Sequence, residues 1–360
     1  MKIAFVHDWI INIGGAENVF FDIVKKELDK TKSDNIKIFT LFSNKKEVTI
    51  NNITIPIISI ISNDFILNKV GYRNLMPFFS ILIKLLGYKI KKFNPDKTVI
   101  SSFAIAKNIG EQKYSELYLH SPNQYIRSHY NEYLEKFGLF KKTLYKITSC
   151  ILRKQDKKHT KFNKIYFNSK YTKSLAAKIY GIQGKVKYPK IDEKFINTLP
   201  ANTIDNYYIF LGRTVRFVKE LDKIVDLFSQ LNENLLIVGN GPDKEYIKSI
   251  STQNIFFIEY VDNIEEKIKI LSKSKGLINI TKESFGIVTA ESLALGVPVF
   301  GYNDGATPEL VDKRSGILVQ DKQRKTLLKQ FQNFSNKNFD RGKIKSNFLE
   351  KYKKDYLDNI

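Results

Sequence analysis

Short, continuously apolar runs alternate with amphipathic stretches along most of this chain. Lys2-Ile-Ala-Phe-Val6 has the unbroken apolar character of a strand buried on both faces. It leads into the loop Asp8-Trp-Ile-Ile-Asn-Ile-Gly14-Gly15, after which the pattern turns helical from about Glu17 to Leu28. Further strands are expected at Ile36 to Leu41, Thr98 to Ser101, Leu117 to His120 and Lys164 to Asn168, with helical patterns between them. Lys190 to Asn206 is polar, contains Pro200 and reads as a connection.

The alternation then restarts. Strands are expected at Tyr207 to Gly212, Leu235 to Gly239, Ile255 to Glu259, Leu277 to Ile280, Val297 to Gly301 and Gly316 to Val319. Helices separate them at Leu221 to Leu231, Lys244 to Ser251 and Ile264 to Leu271, and another carries Glu291 before Gly296 and Pro298 stop it. Two rounds of strand and helix predict an α/β chain with two doubly wound parallel sheets. The boundaries read as a first domain over 1–195, a linker over 196–206 and a second domain over 207–335. A C-terminal helical segment over 336–360 is expected to pack back toward the first domain.

Ligand sites in such folds lie beyond the carboxyl ends of the strands, and the polar residues of interest fall there. Glu283 sits in the loop before a helix, and Glu291 lies inside a helix that is apolar almost all round. A buried carboxylate without a partner is expensive, so something polar must meet both groups. A sugar nucleotide would bring hydroxyls for the carboxylates and phosphates for the helix N-terminus. Arg213 and Lys219 project from the loop after the first strand of the second half, where an arginine gives paired phosphate contacts and a lysine a point charge. Two solvated loop cations are the bland alternative.

In the first half, Gly14-Gly15 follows a strand and precedes a helix, which lets backbone N–H groups approach an anion. A purely structural turn is the other reading, since the G-x-G-x-x-G fingerprint is absent. Gly239-Asn-Gly241-Pro242 reads as a strand-to-helix turn. His120 closes its strand and is placed to bond a sugar hydroxyl or a phosphate, or else to serve structure. His7-Asp8 belongs to the same edge, with Asp8 a candidate contact for an acceptor hydroxyl. His129 and His159 read as exposed, and no His, Asp or Cys spacing suggests a metal site.

Charge adds one asymmetry. Residues 1–200 carry 35 Lys and Arg against 16 Asp and Glu, whereas the remaining 160 carry 24 against 21. The basic first half suits an anionic membrane surface, unless the lysines reflect a Lys- and Asn-rich composition. Two amphipathic stretches lie within it: Phe140, Leu144, Ile147 and Ile151 follow helical spacing among lysines, and Phe78, Leu82 and Leu85 precede Lys89, Lys91 and Lys92. They read as membrane-docking faces or as core stripes. Nucleic acid is not expected as a partner, because no Arg/aromatic recognition motif occurs. One cysteine, Cys150, leaves no disulfide framework and implies a reducing compartment. No signal peptide or bilayer-length apolar run is read.

These residues together resemble the retaining glycosyltransferases of family four, with the GT-B fold of two Rossmann-like domains facing a central cleft. The resemblance runs through Val6-His-Asp-Trp9 with Gly14-Gly-Ala-Glu17, Ile100-Ser-Ser102, Leu119-His-Ser-Pro122 and Asn168-Ser-Lys-Tyr171. It continues through Gly212-Arg213, Ile237-Val-Gly-Asn-Gly-Pro242, and Glu283 to Glu291 with Gly296-Val-Pro298. The subgroup resembled is mannosyltransferase-like and works in bacterial surface polysaccharide assembly. The resemblance implies that Glu291 accepts the ribose hydroxyls, and that Glu283 with the N–H groups of Ser284, Phe285 and Gly286 holds the donor sugar. It implies that Arg213 and Lys219 bind the diphosphate, that Gly14 and Gly15 close over it, and that His120 contacts the sugar near the reaction centre.

No cofactor or metal is implied. The donor is a nucleoside-diphosphate sugar, GDP-mannose first, with UDP-hexoses and dTDP-rhamnose as alternatives. The acceptor is a glycan or polyprenyl-linked hydroxyl, at the inner face of the plasma membrane or elsewhere in the cytoplasm. Two departures stand out. The Arg213 to Lys219 gap exceeds the family's by one residue, which brings in Arg216, and Glu259-Tyr-Val261 stands where relatives often carry Gly. A non-catalytic GT-B partner or chaperone subunit and a GT-B sugar-nucleotide epimerase are the competing readings.

Overall fold

The computed structural model describes residues 1–11, 13–30, 35–63, 65, 67, 71–127, 130–135 and 138–354. They fall into two compact units, Met1–Lys187 and Tyr188–Ile360.

The first unit is built on a sheet of β1 (Ile3–Ile10), β2 (Ile36–Ser43), β3 (Glu47–Ile50), β4 (Ile53–Ile61), β5 (Lys97–Ser102), β6 (Ser115–Leu119), β7 (Lys164–Phe167) and β8 (Lys185–Val186). Their spatial order is β3-β4-β2-β1-β5-β6-β7-β8, parallel except for the β3–β4 hairpin. That hairpin was not expected. Its signal is Ile50-Asn51-Asn52-Ile53, a two-residue turn between apolar runs in which both asparagines take left-handed backbone, φ 50° and 62°.

Alternation along β1 sorts its side chains. Ile3 and Phe5 pack with Phe20, Val24 and Leu28 of the helix Gly15–Lys30, and Ala4 and Val6 pack with Ile83, Leu86 and Ile90 of the helix Phe79–Phe93. Continued two residues further, the same alternation sends His7 to the first face and Asp8 to the second.

The second unit carries β9 (Tyr208–Leu211), β10 (Leu235–Val238), β11 (Ile255–Ile258), β12 (Leu277–Asn279), β13 (Val299–Tyr302) and β14 (Gly316–Val319). They are all parallel, in the order β11-β10-β9-β12-β13-β14. The connection reverses direction between β9 and β12, and doubly wound sheets place ligands outside the carboxyl ends at such a switch point. Both faces are covered, one by Ile209, Leu277 and Val299 with the helix Ile287–Ala294, the other by Tyr208, Phe210, Ile278 and Phe300 with the helix Arg324–Ser335.

The stretch read as a connection is partly structured. Helix Glu193–Asn197 buries Phe195 beside Ile191 in the second unit's core. The C-terminal segment, expected to pack toward the first domain, buries Ile344, Phe348 and Tyr352 in the core of the second. Their spacing of four residues puts one apolar stripe on the helix Arg341–Tyr352.

Candidate active site

The switch point of the second unit gathers most of the residues singled out in its sequence. Arg213 lies just past β9, exposed, and its guanidinium bonds no described residue. The loop beneath it is held close by glycines. Gly239 has φ +142°, and a Cβ there would sit 1.9 Å from the Gly212 carbonyl oxygen, while one at Gly241 would sit 2.5 Å from that of Thr214. Glycine is required at both positions, and the turn reading of this motif describes their contacts.

Lys219 ends the short helix Arg216–Lys219 and reaches Glu283 of the loop after β12, with Nζ 2.6 Å from Oε1. The hydroxyl of Thr281 donates to the Lys219 carbonyl at 3.3 Å, tying the two strand-end loops a second time. Arg216 turns elsewhere, its guanidinium 4.5 Å above the Tyr246 ring.

Glu283 is positioned by backbone. It bridges to Gly305, and its carbonyl accepts from the Ala306 N–H at 2.9 Å. Gly305 takes φ +71°, and a Cβ there would meet the Glu283 carbonyl oxygen at 2.4 Å, so glycine is required on both counts. Three residues on, Gly286 at φ +91° starts the helix Ile287–Ala294 with no side-chain cap on its first N–H groups. Phe285 is buried in the core, its ring 5.8 Å from that of Tyr188.

Glu291 is buried on that helix, as its apolar surroundings in the sequence imply, but it has a partner. Lys267 Nζ lies 2.7 Å from each of its carboxylate oxygens and 5.2 Å from the Phe195 ring centre. Burial pushes the Glu291 carboxyl above its ordinary range, with Lys267 opposing. Each of the two glutamates thus has a lysine, Glu283 with Lys219 and Glu291 with Lys267. Lys267 is four residues into the helix Ile264–Lys273, and nothing in local sequence marked it as Glu291's partner.

The first unit has its own polar cluster. Asp8 was expected to face an acceptor. Instead it is fully buried and its carboxylate accepts four backbone N–H groups, from Phe103, Ala104, Ile105 and Ala106, at 2.6 to 3.0 Å. Its oxygens cap the turn after β5, which corrects that expectation: the group is a structural anchor. His7 pairs in register with Ser101, its Nδ1 3.2 Å from the Ser101 carbonyl and 3.1 Å from the hydroxyl.

Ser101 Oγ is 2.7 Å from His120 Nε2, and the backbone N–H of His120 donates to the Ser102 carbonyl at 2.9 Å. Burial, then His7, hold the His120 imidazole down at about 3. Gly14 and Gly15 begin the helix Gly15–Lys30, and the Gly14 N–H donates to Glu17 Oε2 at 3.0 Å. Neither has a left-handed backbone, and a Cβ at Gly15 would meet nothing within 4 Å. His159 is half-buried and His129 lies outside the described residues. No cluster of His, Cys, Asp and Glu able to hold a metal occurs among the described residues.

Residues 191–354 match the family model described as glycosyl transferases group 1. A curated relative, N-acetyl-alpha-D-glucosaminyl L-malate synthase of Bacillus anthracis, is 31% identical over 106 residues, which covers 27% of each chain. Among solved structures, sucrose-phosphate synthase from Thermosynechococcus elongatus superposes with a TM-score of 0.74 at 13% identity, covering 99% of this chain and 95% of that one. The lipopolysaccharide outer core galactosyltransferase WaaB gives 0.62 at 14%, covering 99% and 96%. HepE of Anabaena, solved with UDP and glucose, gives 0.60 at 16%, covering 98% and 99%. The fold of the chain is GT-B, and its residues 191–354 are similar to the group 1 glycosyl transferases.

Proposed function

We propose that the chain is a retaining glycosyltransferase that moves a hexose from a nucleoside-diphosphate sugar to a hydroxyl of a glycan or lipid-linked acceptor. The observation that carries the reading is the convergence at the β9/β12 switch point. An unpaired guanidinium, a lysine–carboxylate pair and an uncapped helix start come together there, a set suited to a diphosphate with a sugar attached. Arg213 and Lys219 take the diphosphate, Glu283 and the helix start at Gly286 take the sugar, and Glu291 takes the ribose. In the first unit, Gly14, Gly15 and His120 are assigned to ligand contact. The open space at Gly15 supports this, because the described packing does not require glycine there.

The new bond forms between the acceptor oxygen and the anomeric carbon on the face from which the diphosphate leaves. The C–O bond to the diphosphate breaks, and the departing phosphate oxygen takes the acceptor proton. Arg213 and Lys219 stabilise the charge that develops on it. GDP-mannose is the donor proposed first, on the resemblance of the motifs, with UDP-hexoses and dTDP-rhamnose beside it. The HepE structure with UDP supports keeping the uridine donors in that set.

The place of action proposed is the inner face of an anionic membrane. Leu144, Ile147 and Ile151 point outward at 40, 55 and 50% exposure among Lys141, Lys146 and Lys154, and Ile81 and Leu85 are likewise exposed beside Lys84. Contiguous apolar groups in a basic setting suit lipid headgroups and the acyl chains beneath them. No described helix is long and apolar enough to cross a membrane.

The test is a thermal-shift panel of GDP-mannose, UDP-hexoses and dTDP-rhamnose, followed by transfer to a lipid-linked glycan acceptor and assignment of the product anomer. Stabilisation by one donor class with an anomer matching the donor supports the reading. Failure of every donor to bind, or an inverted anomer, overturns it.

A further inference from the structure

The mechanism leaves a buried chain of side chains in the first unit unused. Glu17 Oε2 holds the Gly14 N–H at 3.0 Å, and its Oε1 lies 3.8 Å from His7 Nε2. The His7 ring is stacked on Phe20, centroids 4.6 Å apart, and sits edge-on to Phe103. Its Nε2 is sealed from solvent with no hydrogen-bond partner, and its Nδ1 faces Ser101. From there the Ser101 hydroxyl leads to His120 Nε2.

The proton positions along this chain follow by elimination. A carbonyl oxygen only accepts, so the contact of His7 Nδ1 with the Ser101 carbonyl is attractive only when Nδ1 carries hydrogen. The same N–H points at the Ser101 hydroxyl oxygen, which therefore accepts from His7. That hydroxyl has one proton of its own and one acceptor within reach, His120 Nε2 at 2.7 Å. Were Nε2 of His120 protonated instead, two donors would converge on the hydroxyl oxygen and its own proton would have nowhere to go. His120 Nε2 is thus an acceptor. Near neutral pH the buried ring holds one proton, and that proton is on Nδ1, which bonds no described residue.

We propose that His7 and Ser101 are positioning residues that fix the His120 imidazole with its proton on Nδ1, presented as a hydrogen-bond donor to a ligand oxygen. Sugar hydroxyls and phosphates share that acceptor chemistry. The identity of the ligand rests on the transferase reading above, and the proton arrangement does not. His120 then acts as a neutral donor that polarises or orients an oxygen. It does not shuttle protons, which agrees with the departing phosphate carrying the acceptor's proton.

The experiment is a two-bond nitrogen–proton correlation spectrum of the ¹⁵N-histidine-labelled full chain at pH 7, without added sugar nucleotide. The expected result is His120 with a protonated Nδ1 and an unprotonated Nε2. A protonated Nε2 in the unsubstituted protein overturns the proposal outright and needs no variant. Ser101→Ala removes the donor to Nε2 and is expected to give a mixed or Nε2-protonated His120, with kcat reduced about tenfold to a hundredfold, the scale found for bonds behind a ligating imidazole.

Ser101→Thr keeps the hydroxyl and is expected to restore both the spectrum and kcat. Loss of activity in Ser101→Ala with the His120 signals unchanged, or no recovery in Ser101→Thr when it folds, overturns the positioning role. Titrating GDP-mannose, UDP-glucose and UDP into the labelled chain separates the sources: a shift of His120 Nδ1 with UDP alone points to phosphate, and a shift only with the sugar attached points to a hydroxyl. A correct tautomer with no donor binding would leave the positioning role standing and sink the transferase reading.

Discussion

Lys219 Nζ is bonded to Glu283 Oε1 at 2.6 Å, so the cation assigned to a phosphate and the carboxylate assigned to a sugar hold each other in place. Removing either loosens the other. Lys219→Met and Glu283→Gln are each expected to lower kcat/KM by about 10² to 10³, the cost of losing one charged contact to a transition state. The double variant should fall well short of the product of the two losses, because the partners act as one unit. Steady-state kinetics on all three variants provides the check. Turnover within a few-fold of the parent in both single variants would reduce the pair to a surface salt bridge.

The Asp8 carboxylate answers four backbone donors at once. Asp8→Ala leaves those N–H groups buried without acceptors and is expected to cost about 3 to 5 kcal/mol of unfolding free energy. Asp8→Asn keeps one acceptor oxygen and should cost less. Urea denaturation resolves the order. A neutral outcome for Asp8→Ala would mean that the turn after β5 finds other acceptors.

Glu291 and Lys267 form a largely buried pair in the second unit. Lys267→Met strands a buried carboxylate and is expected to destabilise by about 3 to 5 kcal/mol at pH 7, a loss that shrinks in the double variant with Glu291→Gln. Glu291→Gln alone is expected to raise the donor Kd with kcat little changed, the mark of a contact made equally in ground and transition states. Calorimetric unfolding and donor titration separate the two effects. A fall in kcat at constant Kd would move Glu291 out of the ribose role.

His120 gives a pH dependence with a definite sign. Its folded value of about 3 lies below the ordinary histidine value of 6.5, so the unfolded chain binds the extra proton first. The stabilisation it represents is complete above about pH 6.5 and drains away as pH falls toward 3. This single group contributes a slope of about 1.4 kcal/mol per pH unit in that window. His120→Gln should flatten the stability curve between pH 6.5 and 5 by about 2 kcal/mol relative to the parent. Equal slopes would show that the ring is protonated without cost.

The outward face of Leu144, Ile147 and Ile151 is expected to bring the protein onto vesicles containing anionic lipid, and less so as salt rises. Replacing all three by Ser should lower vesicle co-sedimentation about tenfold or more, since each buried aliphatic side chain is worth roughly 1.5 to 3 kcal/mol. Unchanged sedimentation would assign this face to something other than lipid.

Most of the fold was legible because parallel strands buried on both faces announce themselves as unbroken apolar runs, as at Ile3 to Val6 and Leu235 to Val238. The β3–β4 hairpin is harder to read, because its first strand Glu47–Ile50 is short and polar on one face. The strand-end positions of Arg213, Lys219, Glu283 and His120 were readable from local pattern. What they touch was not. Lys267 meets Glu291 across 24 positions and Ser101 meets His120 across 19, and Asp8 turns inward because of donors nearly a hundred positions away. Contacts of that kind are set by sheet order, and β1 lies beside β5 only once the whole sheet is assembled.

The Asp8 knot has a consequence for how the first unit comes into being. The carboxylate belongs to β1, and its four donors follow it by 95 to 98 positions. Until β5 has docked beside β1, the turn at Phe103 to Ala106 has no acceptors, and Ser101 and Ser102, which seat His120, have no fixed place. The seat of His120 therefore cannot be assembled from neighbouring segments in advance. It is gained and lost together with the pairing of β1 and β5, so that the most remote link in this unit governs its most local piece of chemistry.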